Sequence, residues 1–315
     1  MALRDFFTVI KELSFDHLRA EALLAPRVLV MGRGANEARL VRDRLFGVGA
    51  ERYVDVHGHE ETPPDPLQYD VIVSLGRLDA ALERPWRELF RRVEEPVRVV
   101  EVDMRLGSGE GDIEAARRRI ADVADERALA IGRHIDAMRE ATAAQVVSET
   151  SMVNGQFAFL SNIPTVLPVI GNLVAVGADF LVLTKNQLMM IYKLAAVYER
   201  DLDDRWRIYA EMLPVVGGGL VWRTVAREVA GLLPLAIGTV PKVGIAYAGT
   251  YATGRAAVLY YARGARVTRE QMRGLYAEAL DRLRRNPLAL GSREGRRAAE
   301  PTLSESSVAP RVEPV

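Results

Sequence analysis

Four short valine-rich runs constrain this chain most: RVLVMGR (27–33), RYVDVH (52–57), YDVIVSL (69–75) and VRVVEVD (97–103). Each is too short for a helix and too continuously apolar to face water on one side, so each reads as a strand covered on both faces. Helix-like segments separate the first run from the second (NEARLVRDRLFG) and the third from the fourth (LDAALERPWRELFRRVEE). Strands of this kind alternating with helices predict a small parallel sheet flanked by helices, an α/β domain over residues 25–112.

The rest of the chain carries helical periodicity. Residues 1–24 predict an N-terminal amphipathic helix, with Phe6, Phe7, Ile10 and Leu13 on one face; Asp5, Lys11 and Glu12 break any signal-peptide core, so a cytoplasmic start is expected. RLGSGEGD (105–112) reads as a glycine-rich connector whose Asp112 can cap the next helix. Ile120, Val123, Ile131, Ile135, Met138 and Val146 then fall near one stripe and predict a single connecting helix over 113–150. A helical domain is expected over 151–285, in which KNQLMMIYKLAAVYER presents Leu188, Ile191, Tyr192 and Ala195 on one face. Residues 286–315, rich in proline, serine and alanine, read as a disordered tail.

Composition narrows the chemistry. Among 315 residues, 42 acidic side chains balance 42 basic ones, which removes any global argument for nucleic acid. There is no cysteine, hence no disulfide, thiolate nucleophile or cysteine-ligated metal. Lysine occurs only at Lys11, Lys185, Lys193 and Lys242.

That scarcity decides how the glycine turn VLVMGRGANEAR (28–39) reads. A phosphate-binding P-loop, G-x-x-x-x-G-K-[ST], uses backbone amides, a lysine and a hydroxyl around phosphate and magnesium. Counted from Gly32, those positions hold Glu37, Ala38 and Arg39, and Glu37 brings a carboxylate into the first helical turn where an anion would sit. A guanine-specificity motif, N-K-x-D, would fall on Val100, Glu101, Val102 and Asp103, where only the aspartate matches. DVHG (55–58) has the D-x-x-G shape of a magnesium-proximal loop, with Asp55 and Gly58. The competing dinucleotide reading uses Gly32 and Gly34 with Asp55 as the ribose acid, but Glu37 replaces the third glycine. In HGHEE (57–61), His57 and His59 are the candidate metal ligands, with no second cluster to complete a shell. No nucleophile motif such as G-x-S-x-G is present, so no catalytic residue, cofactor or metal is expected.

Two apolar stretches raise the question of a membrane. A 21-residue helix spans about 31 Å, close to the hydrocarbon thickness of a bilayer. Residues 163–183 hold twelve Leu, Ile, Val or Phe, which supply roughly −4 to −7 kcal/mol toward insertion, against Asp179, Asn172 and two prolines. Residues 231–250 hold seven, about −2 to −4 kcal/mol, against roughly +3 for Lys242. The first favours insertion and the second is near balance; core helices of a soluble domain are the alternative. Gly244, Ala248, Ala252 and Ala256 form a small-residue stripe suited to close helix packing in either setting.

ADFLVLTKNQLMMIYKLAAVYER together with LLPLAIGTVPKVGIAYAGTYATGRAAVLYYARG resembles the YcjF-type domain of unknown function, over roughly residues 145–285. The resemblance rests on Asp179, Gln187, Met190 and Tyr198 and on the TYATGRAAV run. Such domains occur in inner-membrane proteins and after the G domain of some Era-like GTPases. The resemblance implies a degenerate G domain here, in which Gly32, Asp55, Gly58 and Asp103 match scattered positions while the lysines and P-loop hydroxyl are missing.

The expected fold is therefore α/β plus all-α: a small parallel-sheet degenerate G-like domain followed by a helical domain with long apolar helices. The expected function is that of a non-enzymatic scaffold or regulator at the cytoplasmic face of the inner membrane. Expected partners are the membrane, a protein such as an active GTPase, and further copies of the chain, with no nucleic acid. The rival readings are a GTPase-like hydrolase with an atypical loop and a soluble interaction module.

Overall fold

The computed structural model describes residues 15–58, 61–62, 64–76, 97–104, 108–160, 172–216, 239–264 and 267–285. All four valine-rich runs form strands: β1 Val28–Gly32, β2 Val54–Gly58, β3 Val71–Leu75 and β4 Val99–Val102. They pair in parallel in the order β2-β1-β3-β4, with Val28 opposite both Val54 and Val71. The central β1 and β3 are buried throughout, whereas the edge strands β2 and β4 expose residues such as Asp55. That pattern follows from a sheet covered on both faces.

Helix α1 is Asp16–Leu23 and α2 is Ala35–Phe46, the expected crossover between β1 and β2. The helix expected between β3 and β4, the apolar face from Phe6 to Leu13, and the tail beyond Arg285 lie outside the described residues.

The connecting helix expected over 113–150 is instead three helices. These are α3 Glu110–Ala124, α4 Ala128–His134 and α5 Arg139–Leu160, joined by two 3₁₀ turns. The first break is at Asp125, whose φ of 54° ends α3; the second is at Ile135, which is extended at ψ 100°. The predicted stripe is buried nonetheless, with Ile120, Ile131, Ile135, Met138 and Val146 all in cores. Folding the segment back lets the same apolar residues serve two cores. Ile113, Ala116, Ile120, Ala128, Ile131, Ile135 and Met138 pack with Val28, Val30, Val73 and Val100 on one face of the sheet. The α/β unit therefore extends past 112 to about Met138. Asp112 does close the first turn of α3, accepting from the Gly109 N–H at 3.0 Å.

Helices α6 Asn172–Val197, α7 Arg205–Val216, α8 Thr239–Arg263 and α9 Arg269–Arg285 complete the helical unit around α5. Phe15 and Ala22, at the α1 end of the chain, belong to this core and not to the sheet; the Phe15 ring lies 4.6 Å from that of Tyr192. In sequence the α/β unit is thus an insertion between α1 and the other helices it packs with.

The long apolar helices do not appear as such. Among the described residues no helix is long and apolar enough to cross a membrane. α6 and α8 are long, at 26 and 25 residues, but their registers run on through Lys185 and Lys193 and through Arg255. Parts of the two stretches, 163–171 and 231–238, lie outside the described residues.

Three of the four resemblance residues sit at helix contacts. Met190 is fully buried, Gln187 donates to Thr250 Oγ1 at 3.3 Å, and Tyr198 stacks on Tyr261 at 5.9 Å. Asp179 falls on α6. The stripe Ala248, Ala252 and Ala256 is buried, and Gly244 faces Leu280 of α9. Closest approach to α5 uses the neighbouring set: Ala246 packs with Ala158, Thr250 bonds Asn154, and Gly254 abuts Val147.

Candidate functional site

In an open parallel sheet, ligands bind beyond the carboxyl ends of the strands where the strand order reverses. Here that point lies between β1 and β3, since the chain steps from β1 to β2 on one side and to β3 and β4 on the other. Gly32, Arg33 and Gly34 lead from β1 into α2 at this point, and Gly58 pairs with Gly32. The geometry has the outline of a phosphate site, in which free backbone N–H groups at a helix start would face an anion.

Two of the chain's own carboxylates accept from N–H groups that flank this helix start. Glu37 folds back so that its Oε2 accepts from the Arg33 N–H at 3.2 Å. Glu61 Oε2 accepts from the Gly58 N–H at 3.1 Å and lies 3.1 Å from His57 Nδ1. Backbone closes what remains: a Cβ on Gly58 would stand 3.2 Å from Ala35 N and 3.5 Å from Gly34 Cα. Two negative charges and a strand end thus stand beside the helix start that a phosphate would approach. Carboxylates hold N–H donors more tightly than neutral acceptors do, so the arrangement stabilises itself.

Other predicted residues are drawn elsewhere. DVHG is not a loop but most of β2, and Asp55 pairs with Leu29, about 10 Å along the strand from Gly58. Its carboxylate accepts from the Tyr69 hydroxyl at 3.0 Å and lies 3.5 Å from Arg27. That bond, added to burial, pushes the Tyr69 hydroxyl up to about 12. Asp55 is therefore built into the opposite end of the sheet and cannot serve as a ribose or magnesium ligand beside Gly32. Asp103 is exposed just past β4, two strands from β1. His59 lies outside the described residues, and His57 also contacts the Gly58 carbonyl at 3.1 Å. Among the described residues no group of three or more metal-ligating side chains converges.

A second feature could not be read from sequence. Between α3 of the α/β unit and helices α5, α8 and α9 lies a cleft of about 250 Å³. Its charged walls include Glu114, Arg118, Asp122, Glu140, Arg255 and Arg282, with Gln145, Ser148 and Tyr251 between them. Two of the cations are engaged: Arg118 lies 4.0 Å from Glu114, and Arg282 binds Glu278 at 2.9 Å while stacking 5.2 Å over the Tyr251 ring. Tyr251 donates to the same Glu278 oxygen at 3.0 Å, and burial together with that bond raises its hydroxyl to about 12. Residues from four helices separated by up to 168 positions compose this cleft, so no local motif announces it.

No family model matches the chain, and no curated protein or solved structure matches it.

Proposed function

We propose that this chain is a non-enzymatic scaffold or regulator related to Era-like GTPases, in which the nucleotide pocket of a G-like domain is filled by side chains of the protein. The observation that carries the proposal is the seating of Glu37 and Glu61 on the Arg33 and Gly58 N–H groups at the carboxyl ends of β1 and β2. Without the P-loop lysine and hydroxyl, and with anions already in place, a triphosphate would meet repulsion where a G domain offers attraction. The α/β unit is then a docking surface for a protein partner, an active GTPase being the partner the YcjF-type resemblance favours.

The proposed setting is the cytoplasmic face of the inner membrane, with the helical unit as the anchored part. Support comes from residues 163–183, whose apolar content favours insertion, and from one end of the bundle. There Ala158, Leu183, Val243 and Ala246 pack together, with Ala158 near the end of α5 and Val243 near the start of α8.

Calorimetry of the purified chain with GTP and magnesium tests the first part, with no heat of binding expected; micromolar, magnesium-dependent uptake overturns it. Carbonate washing of membranes tests the second. Retention in the pellet is expected, and complete release overturns the anchor.

A further inference from the structure

The cleft between the α/β and helical units holds two polar atoms that are buried and lack any hydrogen-bond partner: Arg255 Nε and Gln145 Oε1. One is a donor within a permanent cation and the other is an acceptor. Leaving either unpaired away from water costs free energy, so an occupant toward which the two side chains turn and which pairs both is favoured. Glu140 adds an exposed carboxylate at the rim. The Glu140 carboxylate and the Arg255 guanidinium both act on the Tyr198 hydroxyl, in opposite senses, so the two poles share one neighbourhood. Arg118 and Arg282 already have carboxylate partners, which leaves Arg255 as the wall cation whose Nε no acceptor pairs.

We infer that this cleft binds a small zwitterion of the α-amino-acid class, its carboxylate on Arg255 and its ammonium between Gln145 Oε1 and Glu140. Size agrees with the class. At about 250 Å³ the cleft falls below the roughly 300–1,000 Å³ of pockets for drug-sized ligands. Charge agrees as well: three acidic and three basic side chains line the walls, so a ligand of a single sign would be repelled by half of them. A guanidinium is suited to a carboxylate because its planar fork can give two parallel bonds. The cleft joins α3 to α5, α8 and α9, so an occupant would also tie the α/β unit to the helical one. This reading is independent of the closed pocket at Gly32.

Isothermal titration calorimetry on the intact chain provides the test, with each of the twenty amino acids, and with acetate, ethylamine and inorganic phosphate as partial mimics. At least one amino acid is expected to bind saturably at about millimolar or tighter, and the mimics at least about tenfold more weakly. Arg255→Gln is expected to abolish this binding. Since a core-lining change could disturb folding, Glu140→Gln, at an exposed position, provides the second variant and is expected to weaken binding about tenfold with the melting temperature unchanged. The inference is overturned by no saturable binding of any amino acid, by phosphate or acetate binding as tightly as the amino acid, or by binding that a folded Glu140→Gln variant leaves intact.

Discussion

Glu37 and Glu61 do at the residue scale what a bound anion does in a working phosphate site: each gives a backbone N–H a charged acceptor. Removing both side chains in Glu37→Ala/Glu61→Ala frees the donors. Weak phosphate binding absent from the unsubstituted chain is expected, at a stability cost of about 0.5–1.5 kcal/mol per lost bond. Titration with phosphate followed by urea unfolding of both proteins checks the two halves. Glycine acts at this scale through space. At Gly254 an added Cβ would lie 2.7 Å from Val147 Cγ2 and 2.9 Å from Met190 Sδ, both in fully buried side chains. Helix propensity alone favours alanine over glycine by about 1 kcal/mol. The clash outweighs it, so Gly254→Ala is expected to destabilise by about 1–3 kcal/mol in a denaturant melt. At Gly274, where nothing lies within 4 Å, the same change is expected to stabilise by up to about 1 kcal/mol.

At the scale of elements, α4 holds the two units together. Its Ile131 faces the sheet core and its Leu129 faces the helical core, while Arg133 donates to the Ala196 carbonyl near the end of α6 at 2.8 Å. His134, beside Tyr53 at 5.3 Å between ring centroids, closes the helix. Burial, and next the neighbouring Arg133 charge, hold the His134 imidazole below its ordinary value of 6.5. Between the folded and unfolded values the unfolded chain binds more protons, so stability is lost as pH falls below about 6.5 and the loss levels off below the folded value. Glu21, raised chiefly by burial, works in the opposite sense from its ordinary value of 4.5 upward. Urea midpoints at pH 7.5 and pH 5.5 are therefore expected to differ less in His134→Asn than in the unsubstituted chain. The strands were legible because burial on both faces writes itself as continuous valine. The three-way break over 110–160 was not, because the apolar spacing survives both turns: Ile131, Ile135 and Met138 keep helical intervals while the backbone at Asp125 and Ile135 does not. The carboxylate of Glu37 was legible from its place in the first turn. Glu61 was not, since its bond to Gly58 depends on how the chain leaves β2.

Across the whole molecule, the order of the chain and the order of packing differ, and this sets how the protein should unfold. Phe15 precedes the sheet in sequence, yet its ring packs against Tyr192 at 4.6 Å and Tyr209 at 6.3 Å in the helical core. The α/β unit in turn finishes its core with Ile113 to Met138, which a cut at 112 would remove. Asp70, at the foot of β3, takes a two-point bond from Arg127, at 2.7 and 3.1 Å, and also accepts from the Arg27 N–H at 2.8 Å. Chain crossings of this kind couple the two units, because neither can open without exposing apolar surface of the other. Phe15→Ala removes an aromatic side chain that is 1% exposed and is expected to cost about 3–5 kcal/mol. If the units are coupled, that loss lowers the midpoint reported by amide exchange in α6 and α8 and the midpoint reported by amide exchange in β1 and β3 by the same amount. A shift of the helical signal alone, with the strand amides unmoved, would show that the sheet folds independently of α1.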